Sequence, residues 1–89
     1  MGVAGLFRDA NLYPFMKRSV LANQESSNNL AQDGIYHIAN WTTPVNYGMM
    51  LQFSSGGMVA QIVIGFQNRG MWYRSNWNSE GWSNYVSLI

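Results

Sequence analysis

From about residue 34 onward, apolar and polar residues alternate in short runs broken by Gly, Asn and Ser, which is the pattern of strands. Ile35 to Ala39 is a short β-prone run bounded by Asp33-Gly34 and Asn40. Thr42 to Gly48 is a connection, with Pro44 and Gly48 as its breakers. Met49 to Ser54 predicts a second strand, and Ser55-Gly56-Gly57 a tight hairpin turn, because paired glycines take the positive φ that two-residue turns need. Met58 to Phe66 is a third strand with faces Val59/Gln61/Val63/Gly65 and Ala60/Ile62/Ile64/Phe66; the second, wholly apolar, is expected to be the core face. Gln67 to Gly70 turns into a fourth strand, Met71 to Asn76, and Asn78 to Gly81 turns once more before Trp82 to Ile89. Turns spaced by about 11–14 residues describe an antiparallel meander.

Residues 1–34 read differently. Their apolar clusters, Val3 to Phe7, Leu12 to Met16 and Val20 to Ala22, keep no sustained period, and Pro14 breaks any helix running from Arg8 to Ala22. A short helix is expected from about Lys17 to Gln24 and a polar loop from Asn23 to Asn29. The division predicted is an arm or shaft-like linker at 1–32, packed on neighbouring chains, and a β-rich domain at 33–89.

Size sharpens this picture. At 89 residues the chain has room for one small domain, which buries only about 60–65% of its unfolded surface and needs further support. The chain has no cysteine and one histidine, and its four acidic residues are widely spaced, so oligomerisation is the support left, with no cofactor or metal expected. Charged residues make up 10% and the net charge is +1, which gives no basic stripe for nucleic acid. Apolar runs such as Ile62 to Ile64 fall far short of the ~20 residues of a membrane span. The first residues meet the Arg8-Asp9 charge pair too early for a signal-peptide core, and Leu6 stands where myristoylation of Gly2 would want Ser or Thr. Asn40-Trp41-Thr42 matches a glycosylation acceptor, a triplet common by chance.

No catalytic constellation is legible, so an enzyme is not expected. His37 lies mid-strand with no adjacent acid, no Gly-x-Ser-x-Gly elbow or phosphate loop occurs, and Asp9, Glu25, Asp33 and Glu80 form no readable pair. The aromatics carry more. Trp72, Arg74 and Asn76 share one strand face, and a hairpin symmetric about Asn68-Arg69 would set Gln61 near Asn76. Trp77, between two asparagines, is the tryptophan expected to be exposed; Trp82 suits the core, and Trp41 and Trp72 suit either place. Arg74 can stack on a tryptophan, bind a partner, or bond a carbonyl of another subunit. Gln61 interrupts an apolar run, so a tertiary or inter-chain hydrogen bond is its expected role.

Taken in order, Asp33 to Ile38, Pro44 to Phe53, Val59 to Ile64, Met71 to Ser75 and Gly81 to Tyr85 resemble the pyocin knob family of phage tail fibres and phage-tail-like bacteriocins. The resemblance covers 33–89 and rests on the order of individually weak motifs; Tyr85 stands where that family's pattern usually has a second closing Trp. It implies a mainly β fold: a small antiparallel meander or sandwich knob with a short helical or extended N-terminal arm, assembled as a homotrimer. It implies residence in a virion tail fibre or an extracellular phage-tail-like particle, with the chain itself and a bacterial surface glycan as partners. Tyr36, Gln61, Tyr73, Arg74 and Trp82 match its motif positions and are expected to define fold or trimer interface. Aromatic–amide chemistry puts the expected ligand contacts at Trp77, Asn76, Asn78 and Arg69 on loop tips, with Trp41 and Tyr47 behind them, and Trp77→Ala is expected to weaken binding without unfolding. A purely structural trimerisation or spacer module, or a monomeric carbohydrate-binding module, are the alternatives.

Overall fold

The structure, a computed structural model, describes residues 16–89. Expectations that fall on residues 1–15, including the break at Pro14, lie outside the described residues.

Six strands form one mixed sheet in sequence order: β1 (Lys17–Leu21), β2 (Gly34–Ile38), β3 (Gly48–Ser55), β4 (Met58–Gly65), β5 (Met71–Trp77) and β6 (Val86–Ser87). β2 to β6 are an antiparallel meander, as the alternation predicts. β1 departs from it, pairing parallel to β2 with Lys17 opposite Ile35 and Leu21 opposite Ile38. The expected helix from Lys17 to Gln24 is therefore a strand, followed by a single 3-10 turn at Gln24–Ser27 that the Asn23 side chain caps through Ser26 N–H. Five residues with one buried side chain, Leu21, give no apolar stripe that would hold a helix, whereas β2 offers an edge to pair with. The closing segment is also less regular than expected: Trp82 makes an isolated bridge to Asn76, and only Val86–Ser87 pairs as a strand.

Hairpin chemistry explains the tight links. Gly56 (φ 63°) and Gly57 (φ 130°) join β3 to β4 with Ser55 opposite Met58. The β4–β5 connection turns through Gln67 (φ 49°) and Asn68 (φ 63°) and is closed by Gly65 N–H donating to Gly70 O at 2.9 Å. This centres the hairpin one residue earlier than expected, so Gln61 stands opposite Arg74 and not Asn76. Gly65 allows the connection to lie close: a Cβ there would stand 2.7 Å from Arg69 Cβ and 2.8 Å from Val45 Cγ1.

The core lies on the face not expected. Gln61, Val63 and Gly65 of β4 are buried, whereas Ala60, Ile62 and Ile64 are half-buried and Phe66 is exposed. Rows Tyr36–Met50–Val63–Trp72 and Gly34–Gln52–Gln61–Arg74 run across the covered side, beneath the segments 22–33 and 39–47 and the chain from Asn78 to Tyr85. Period-two alternation was right, but a polar set of side chains that satisfies itself turned inward, where an apolar count puts the other face. The opposite face carries Ile35, Leu51, Ile62 and Ile64 half-buried, with Val20, Met49, Met58, Tyr73 and Val86 exposed. The structure is thus one sheet with loops on one side; a second sheet, as a sandwich would need, is absent among the described residues.

Candidate functional site

The buried polar set must be understood first, because it holds most of the residues singled out by the resemblance. Arg74 is 4% exposed and reaches inward from β5. Its Nε donates to Gln61 Oε1 at 2.8 Å, and its terminal nitrogen donates to Ser27 Oγ at 2.8 Å and Asn28 Oδ1 at 2.9 Å. The Gln61 amide donates onward to Ser27 O at 2.7 Å and Gln52 Oε1 at 2.8 Å, and Gln52 donates to the carbonyls of Leu30 and Gln32. Beyond the guanidinium lie the rings of Trp82, at 4.1 Å, and Tyr85, at 4.8 Å, which offer their negative π faces. Trp82 also donates its indole N–H to Asn28 O at 3.0 Å.

Burial pushes the Arg74 pKa below its ordinary value, and the neighbouring Tyr85 acts to raise it. No buried side-chain polar atom among the described residues lacks a partner. This cluster is a fastener. It ties the 3-10 turn, the Asn28–Gln32 loop and the closing segment to the sheet. Tyr36 belongs to the same class: it is 4% exposed, donates its hydroxyl to Gln32 O at 2.6 Å, and burial raises its pKa, with Arg18 opposing and Asp33 reinforcing. Tyr73 is different. It is 40% exposed, on the bare side of the sheet.

The six expected ligand contacts fall at two ends of the sheet, separated by the length of β4, roughly 25 Å. At the Gly56-Gly57 end stand Trp77, Asn76 and Asn78. Trp77, 55% exposed, pairs with Met58 on the bare side. Asn76 spends its Oδ1 on Gly81 N–H at 3.1 Å, and Asn78 is in a left-handed turn (φ 51°) with its side-chain oxygen packed onto Gly57. The Asn76 side-chain oxygen there is already engaged in building the last turn.

At the other end are Arg69, Trp41 and Tyr47. Trp41 is 3% exposed and donates its indole N–H to Leu21 O at 2.9 Å, so it is a core residue whose ring forms part of a floor. Tyr47 donates to Asn40 Oδ1 at 2.8 Å and meets Phe66 edge-on, with ring centroids 6.0 Å apart. Arg69 is exposed, with its guanidinium 5.1 Å from the centre of the same Phe66 ring.

Sequence reasoning missed what joins these. A shallow groove of about 570 Å³ opens between the 41–46 loop and the β4–β5 connection. Trp41, Val45 and Trp72 line it, together with Thr42, Pro44, Asn46 and Arg69. Two indoles, an amide, a hydroxyl and a guanidinium converge there, contributed by two segments far apart in sequence. The only available signal was the Pro44–Gly48 connection, which brings the 41–46 loop back against β4 through Trp41 N–H to Asn46 O at 3.2 Å. No carboxylate or imidazole lines the groove, and no cluster of metal-ligating residues occurs among the described residues. Nor is any described helix long and apolar enough to cross a membrane.

No protein-family model matches the chain, and no curated protein matches it in sequence.

Proposed function

We propose that this chain is a non-catalytic attachment domain at the distal part of a phage-tail-like fibre, working as a homotrimer that binds a bacterial surface glycan. The observation that carries the binding part is the groove: apolar aromatic floor, polar rim, and no acid–base pair. The half-buried Trp72 ring, with Trp41 packed beneath the loop, suits the apolar face of a sugar, while Arg69, Asn46 and Thr42 offer donors and acceptors to hydroxyls. A groove this open binds weakly alone. Three copies on one rigid fibre raise the effective affinity by avidity, on the order of 10²–10⁴. The trimer is supported by a separate observation, the large apolar side of the sheet that stands exposed among the described residues.

Binding of the full chain to immobilised bacterial lipopolysaccharides and capsular polysaccharides tests this. Arg69→Ala and Asn46→Ala are expected to lower binding about tenfold or more, as loss of one charged or two neutral hydrogen bonds would. Asn76→Ala should change it less than threefold, because Asn76 stands at the opposite end of the sheet and on its loop-covered side, away from the exposed apolar face. The reverse ranking places the site at the Gly56-Gly57 end. Absence of binding to every glycan would favour the structural-spacer reading, to which the fully satisfied Arg74 cluster is the supporting observation.

A further inference from the structure

We propose that the bare side of the sheet is where copies of this chain meet, with rows Ile35–Leu51–Ile62–Tyr73 and His37–Met49–Ile64–Met71 at the centre of the contact. The inference rests on the oligomeric part of the attachment reading and specifies its interface. The loop-covered side, with its groove and Arg74 cluster, faces away.

Two observations lead there. First, the surface is too large to be incidental. Val20, Met49, Met58, Tyr73, Trp77 and Val86 are each 40–58% exposed. With their half-buried neighbours they offer on the order of 700 Å², above the ~300–600 Å² of a typical largest patch and near the ~800 Å² per partner of a stable interface. Second, its chemistry fits another copy of itself. The rows across β2 to β5 carry no Lys, Arg, Asp or Glu, and His37 is their one ionisable side chain besides Tyr73. An uncharged face loses least against a face like it, whereas a charged partner would desolvate its charges for no return. A groove of about 430 Å³ between Ile35, His37, Met49, Ile64 and Phe66, lined at the β1 edge by Lys17 and Arg18 as well, gives a protruding side chain of the neighbouring copy a socket beside this uncharged centre.

The chain has no cysteine, so a single thiol can report the contact. Met49→Cys in the full-length chain is expected to react with a maleimide at least tenfold more slowly than Thr42→Cys on the loop-covered side, with equal rates in denaturant. Light scattering on the same samples should give a multiple of 10.1 kDa. The Met49→Lys/Tyr73→Lys double variant should fall to 10.1 kDa with its β-rich far-UV spectrum intact, since both side chains are exposed in the single chain. A multimer whose Met49→Cys thiol reacts quickly overturns the proposed face while leaving assembly standing. A protected thiol on a 10.1 kDa species shows that the chain covers its own face, which also overturns it. Should the lysine variant not fold, the thiol rates decide alone. Glycan binding is read separately, so failure of the groove and failure of this interface are distinct results.

Discussion

Arg74→Ala should remove a large share of the chain's folding stability, leaving it mostly folded at room temperature but with a narrow margin. The variant removes the donor that, among the described residues, holds Gln61 Oε1, Ser27 Oγ and Asn28 Oδ1 together, leaving Gln24 Nε2 at 3.5 Å from the last two. It also opens a void under Trp82 and Tyr85. Breaking a buried charged network from one side costs about 3–5 kcal/mol, because the partners stay buried without their bonds. A domain of this size has about 5–13 kcal/mol in total. Urea unfolding of the assembled protein at fixed concentration measures the difference. Arg74→Lys keeps the charge but not the planar fork, so it should recover less than half of the loss. Gln61→Leu/Arg74→Met removes donor and acceptor together and should cost less than the sum of its single changes, because the groups left unpaired by each are the same. A cost under 1 kcal/mol for Arg74→Ala would mean that the loop 28–32 is held by something else.

Trp41→Ala is expected to be nearly as damaging, and the result separates a core role from a binding role. The indole is 3% exposed, packs with Leu21, Ile38 and Val45 among the buried residues, and bonds Leu21 O. Large-to-small truncation of a buried tryptophan costs about 3–5 kcal/mol. For a chain of this length that is a fall in Tm on the order of 20 °C. Trp41→Phe keeps most of the volume and loses the hydrogen bond, about 1–2 kcal/mol. If Trp41→Ala melts like the parent and loses only glycan binding, the ring is a ligand platform and its burial is not what holds the loop.

What could be read from the residues, and what could not, divides along a physical line. Local signals worked. Gly56-Gly57 marked its hairpin, Pro44 and Gly48 bounded the 39–47 connection, and strict alternation placed Trp72, Arg74 and Asn76 on one face. Signals that depend on a distant partner did not. β1 is a strand only because β2 is beside it, and Lys17 to Leu21 carries no mark of that pairing. The inward face of β4 was decided by Gln61, whose amide finds Gln52, Arg74 and Ser27 on three other segments. Counting apolar residues could not reveal that the polar set closes on itself. The register of β4 on β5 depended on positive φ at both Gln67 and Asn68, conformations that neither residue announces. The groove lay further out of reach, since Asn46 and Arg69 meet only after three strands have paired.

The covered side holds an apolar core together with the polar side chains that satisfy each other, and a second apolar set, on the opposite face, stays exposed among the described residues. Hydrophobic burial at about 25 cal/mol per Å² makes an uncovered face of some 700 Å² a strong drive to associate, even after the entropy of association is subtracted.

The most direct measurement is the solution mass of the full chain by light scattering at 5 and 100 µM (about a twentyfold range, wide enough to expose a weak equilibrium). A stable species at three times 10.1 kDa at both concentrations is the expected result. A folded particle of 10.1 kDa at both would contradict the account, leaving the groove as the site of a free-standing binding module and the apolar face without its partner.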